Sequence, residues 1–60
     1  GIQQIAISVN DIEKTIVKLK KEGIQMINEE AVDGSSGSRI AFIHPKSAGG
    51  VLIELVEHTD

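Results

Sequence analysis

The stretch SRIAFIHPKSAGGVLIELVE, residues 38–57, holds two apolar runs of strand length on either side of a turn-forming segment. The first run, 38–44, stops at Pro45, which has no N–H to give to a ladder, and KSAGG supplies the connection to the second, 51–57. In that second run Val51, Ile53, Leu55 and Glu57 fall on one face of a strand, and Leu52, Glu54 and Val56 on the other. Glu54 therefore interrupts an otherwise apolar face.

Toward the N-terminus, IQQIAISV at 2–9 alternates Gln3, Ile5, Ile7 and Val9 against Ile2, Gln4, Ala6 and Ser8, which predicts a strand with one strongly apolar face. Asn10 then offers an N-cap with Glu13 three residues on, and Asp11 and Glu13 put negative charge in a first turn, so a helix is expected over about 11–22. Ile12, Ile16 and Leu19 form its core-facing stripe, Lys14, Lys18 and Lys21 lie opposite, and Val17 falls off the stripe beside the lysines. Gly23 fits the left-handed position that ends such a helix. A further strand is expected at 24–29, with DGSSGS at 33–38 as a loop. The order strand, helix, strand, strand, strand, with no repeat or linker, predicts one α+β module over residues 1–60. Its helix covers the face of Ile5, Ile7 and Val9 and leaves the other face of a four-stranded sheet bare.

Such a module is small. A chain of this length buries only about 60% of its unfolded surface, and below about 70–80 residues a disulfide, a metal or oligomerisation is the usual supplement. The chain has no cysteine, which removes disulfides and thiolate metal sites and leaves oligomerisation or an oxygen- or nitrogen-ligated metal. A net charge of −3 and a single aromatic residue, Phe42, argue against nucleic acid as a partner. No apolar run approaches the roughly 18 residues of a bilayer span, and no signal-peptide pattern opens the sequence, so a soluble cytoplasmic protein is expected. The first residue is Gly1 rather than Met, which suggests a processed chain or a piece of a longer one.

Gln4 and Glu54 are the polar interruptions of the bare face, and both offer oxygen ligands for a divalent cation. Periodicity alone favours a plainer account, with Gln4 facing solvent and Glu54 serving as the polar member of an alternating strand. His44, at a strand end, and His58, in the C-terminal tail, lack metal-ligand spacing. In HPKSAGG, residues 44–50, a cation, a hydroxyl and two glycines could approach an anionic group, although an ordinary connection between strands has the same composition. No phosphate-binding GxxxxGK motif and no GxSxG nucleophile elbow is present.

GIQQIAISVNDIEKTIVKLKKEGI resembles the GIHHIA-x-V-x-DI segment of methylmalonyl-CoA epimerases, and SRIAFIHPKSAGGVLIELVEH resembles that family's IAF-[ILM]-HPK-x-x-GGVL-[IV]-EL signature. The resemblance covers nearly the whole chain. It implies the C-terminal βαβββ half of such an enzyme, within the vicinal-oxygen-chelate, or glyoxalase-like, superfamily. Two such modules pair around a divalent metal (Co, Mn, Mg, Ni or Zn), each giving one ligand from its first strand and one from its last, here Gln4 and Glu54. Glutamine stands where the epimerase pattern has histidine, which makes a weaker, neutral ligand. The implied reaction is epimerisation at a thioester α-carbon through a metal-stabilised enolate, with Glu54 as a candidate catalytic acid or base. Lys46, Ser47, Gly49 and Gly50 become candidate contacts to an acyl-CoA substrate. One module cannot complete such a site as a monomer, so the expected partner is a second copy, in a homodimer, or a missing N-terminal module. Two alternatives stay open: a non-catalytic fragment that self-assembles, and a lactoylglutathione-lyase-like member of the superfamily, in which glutamine is an accepted first-strand ligand.

Overall fold

The structure, a computed structural model, describes residues 3–58. Strand β1 (Gln4–Ser8) is followed by helix α1 (Ile12–Lys21), the short strand β2 (Val32–Asp33), β3 (Ser38–Ile43) and β4 (Leu52–His58). The strands form one sheet in the order β1-β4-β3-β2, with β1 parallel to β4 and the other pairs antiparallel. The expected α+β module with a single helix and a four-stranded sheet is the fold observed. No helix among the described residues is long and apolar enough to cross a membrane.

The register sorts the side chains. Ile5 pairs with Ile53 and Ile7 with Leu55, while Leu55 pairs with Ala41 and Ile53 with Ile43, so these residues share one face. On that face Ala41, Ile43 and Leu55 are buried with Ile12 and Ile16 of α1, and Leu19, Ile53 and Val9 pack against the cluster. The predicted stripe of α1 is thus its buried face, and Val17, 54% exposed, lies off it as its spacing requires. The helix does not cover β1, contrary to expectation: Ile5 is 50% and Ile7 43% exposed. The reason is topological, because α1 packs on the central strands β3 and β4 while β1 lies at the sheet edge.

Two local expectations are corrected. The N-cap is Asp11 rather than Asn10; its carboxylate accepts from the Lys14 N–H at 3.1 Å. The Glu57 carboxylate, arriving on β4, accepts from the Ile12 N–H at 3.0 Å, which fixes where the helix starts. The strand expected at 24–29 reduces to a bridge between Met26 and Ile43, and the second strand proper lies later, at Val32–Asp33. Asn28 is the cause: its side-chain oxygen accepts the Phe42 N–H at 2.8 Å, in place of a strand carbonyl. The ladder breaks there, exposed Glu29 and Glu30 loop out, and pairing resumes at Val32 with Ile40.

The C-terminal end of α1 is as predicted. Gly23, at φ +83°, donates to the Lys20 carbonyl and Ile24 to the Leu19 carbonyl, each at 3.0 Å, the paired bonds that close a helix on a left-handed residue. His58, expected in a loose tail, ends β4 opposite Ser38.

Candidate functional site

The face away from α1 carries Gln4, Ala6 and Ser8 of β1, Leu52, Glu54 and Val56 of β4, and Ile40 and Phe42 of β3, since these are register partners of one another. None of them is buried. A largely apolar sheet face is therefore left open, as the sequence predicts, with two strong polar groups on its central and edge strands.

Gln4 lies opposite Leu52, and Glu54 lies opposite Ala6 on one side and Phe42 on the other. Gln4 and Glu54 thus sit on adjacent parallel strands, on the same face, one alternate step apart. Parallel pairing of the first strand with the last brings together residues from opposite ends of the chain. Gln4 is exposed and Glu54 half-buried between Leu52 and Val56. Neither side chain has a hydrogen bond or ion pair among the described residues. Their oxygens suit a hard divalent cation, and being uncommitted they are free to bind one. No group of three or more His, Cys, Asp or Glu that could hold a metal occurs among the described residues, and two oxygens alone would supply only part of a coordination sphere.

The connection between β3 and β4 is a tight, internally bonded turn. A 3₁₀ segment runs Pro45–Ser47, and the imidazole Nδ1 of His44 accepts from the Lys46 N–H at 3.0 Å. The Gly50 N–H reaches the Pro45 carbonyl at 2.8 Å, a path that needs positive φ at both Gly49 (+62°) and Gly50 (+89°), which a side chain at either position would oppose. Lys46, Gly49 and Gly50 are exposed. Ser47, also a candidate for substrate contact, is half-buried, and its Oγ accepts from the Gln25 N–H at 2.9 Å. That hydroxyl oxygen anchors the turn to the segment after α1, a role with no signal in the local sequence.

The strand–helix–strand–strand–strand order, with one sheet face open and largely apolar, is that of a glyoxalase-like βαβββ module. No protein-family profile matches it. The individual comparisons are specific: the chain is similar to methylmalonyl-CoA epimerases, in sequence and in structure. It is 42% identical to the human mitochondrial methylmalonyl-CoA epimerase over 55 residues, 92% of this chain but 31% of that protein. Methylmalonyl-CoA epimerase from Mycobacterium tuberculosis superposes on it with a TM-score of 0.90 at 50% identity, covering 100% of this chain and 40% of that one. A methylmalonyl-CoA epimerase solved in complex with methylmalonyl-CoA and NH4+ does so with a TM-score of 0.85 at 37% identity, over 90% of this chain and 38% of that one. The chain thus spans less than half the length of each of these relatives.

Proposed function

We propose that the chain is one half of a metal-dependent active site that epimerises an acyl-CoA bearing a carboxylate on its α-carbon, of the methylmalonyl-CoA type. The site is complete when a second module, another copy or the remainder of a longer protein, meets the open face along the β1 edge. The observation that carries this reading is the placement of Gln4 and Glu54 on one open face with their oxygens uncommitted. The similarity to epimerases, one of them solved with methylmalonyl-CoA, supplies the substrate class.

In this reading Gln4 Oε1 and a Glu54 carboxylate oxygen hold the cation. Bound there, it would supply positive charge against the negative charge developing on the thioester oxygen. Glu54 is the only carboxylate on the open face of β1, β3 and β4. Epimerisation needs a proton removed on one side of the carbon and returned on the other, so at least one acid–base group comes from the partner. In a two-fold pair the second Glu54 arrives by symmetry. Leu52, Val56 and Phe42 exclude water around these groups, and Lys46 with the Gly49 and Gly50 backbone lies on the turn that meets the anionic part of the substrate.

Exchange of the α-proton of methylmalonyl-CoA with deuterated solvent tests the proposal. The cobalt-loaded chain should catalyse it, chelation should stop it, and Glu54→Gln should slow it by about 10²-fold or more. A cobalt-loaded chain that self-associates yet catalyses no exchange sinks the reading in which a second copy completes the site. The same cobalt titration should raise the unfolding temperature of the wild type and less so that of Glu54→Gln.

A second reading, self-assembly without catalysis, has an observation of its own in the unblunted β1 edge with exposed Ile5 and Ile7. Sedimentation separates the two, because assembly of that kind persists with chelator and in Gln4→Ala. The lyase-like alternative rests on Gln4 alone, and solvent exchange on the acyl-CoA also decides against or for it.

A further inference from the structure

The turn between β3 and β4 contains one titratable group that the open face does not use. His44 caps the Pro45–Ser47 segment with its side chain, a task that Asp, Asn, Ser or Thr ordinarily performs. Pro45 has no N–H, so the first donor of the turn belongs to Lys46, and its acceptor is His44 Nδ1 at 3.0 Å. A ring nitrogen accepts only when it carries no proton, so this bond requires a neutral imidazole with its hydrogen on Nε2. The main-chain groups of His44 are also engaged: its N–H donates to the Gln25 carbonyl at 2.8 Å, and its carbonyl accepts from the Ser47 N–H at 2.9 Å.

We infer that His44 is a proton-gated positioning residue for the 44–50 turn. A proton taken from solvent at Nδ1 replaces the acceptor with a second donor facing the Lys46 N–H, so the bond breaks and the turn presenting Lys46, Gly49 and Gly50 loosens. The surroundings supply few competing charges. The segment packed on His44 from before β2, IQMI at 24–27, has no ionisable side chain, and within the turn the only charge is Lys46. On β4 the nearest ionisable group is Glu54, opposite Phe42, and no hydrogen bond or ion pair joins it to His44 among the described residues. The effect of the gate on ligand rests on the proposed contact between this turn and the substrate; the gate itself does not.

Nitrogen-15 NMR of the whole chain over a pH series from about 8 down to about 5 reads the gate directly. At the upper end the His44 ring should be in the Nε2–H form. As it titrates, the Lys46 amide should shift in step and lose about fivefold or more of its exchange protection, the size of one net hydrogen bond. His44→Asn keeps an acceptor that does not titrate, and its Lys46 amide should stay protected throughout; His44→Ala should be unprotected throughout. An Nδ1–H ring at high pH, or a Lys46 amide that stays flat while His44 titrates, overturns the proposal, and both are read on the wild type. With the gate established, methylmalonyl-CoA affinity that falls at low pH in the wild type but not in His44→Asn supports the link to ligand. Affinity that ignores the gate overturns the contact between turn and substrate, and leaves the gate standing.

Discussion

Asp11 and Glu57 meet the first turn of α1 from opposite ends of the sequence, one through the Lys14 N–H and the other through the Ile12 N–H. Two orphan donors of the helix are thereby satisfied, and both carboxylates sit where the helix dipole favours negative charge. Asp11→Ala should cost about 1 kcal/mol in urea unfolding, the usual loss for a cap. Glu57→Ala should cost about as much or more, because it removes a charge-assisted bond at a half-buried position. This explains why the cap was only half legible in NDIE, residues 10–13. Asn10 and Asp11 are both good caps by type, and the choice between them depends on Glu57, which lies 45 positions away from Ile12. His44 and Ser47 follow the same pattern: their residue types were visible, while their bonding depends on how the turn folds against Gln25.

At the scale of elements, the helix was readable because its pattern is local. Ile12, Ile16 and Leu19 repeat at helical spacing, and Gly23 ends the run. The second strand was misplaced because a single side chain substitutes for the ladder. Asn28→Ala should leave the Phe42 N–H without its acceptor, at about 1–3 kcal/mol in unfolding and with faster amide exchange at Phe42. An Asn28→Ala chain with unchanged Phe42 exchange would show that 24–29 can pair without it. The alternation in β1 identified its apolar face but not its cover, because shelter by α1 depends on strand order, and that order sets β1 beyond the helix.

For the whole molecule, the two candidate ligands could be singled out by their phase in alternating strands, yet their meeting depends on the parallel pairing of β1 with β4. Only the family resemblance anticipated that meeting, since no short-range pattern encodes which strand lies beside which. The same pairing leaves β1 with one neighbour and an unpaired outer edge flanked by Ile5 and Ile7. In the proposed pairing of two copies along this edge, Ile5→Lys should prevent association in sedimentation while leaving the helical circular dichroism intact, because a lysine on an edge strand opposes pairing with another chain. An unchanged oligomeric state would place the contact elsewhere. The position of β1 also bears on the order of folding. Gln4 pairs with Leu52, so nearly the whole chain must be closed into a loop before the first strand gains its partner, whereas β3 and β4 are joined by a short turn. Substitutions in β1 should therefore speed unfolding and leave the refolding rate nearly unchanged, while those in β3 should slow refolding. The first strand made is then the last to settle, and an incoming module would complete the folding of the same edge it binds.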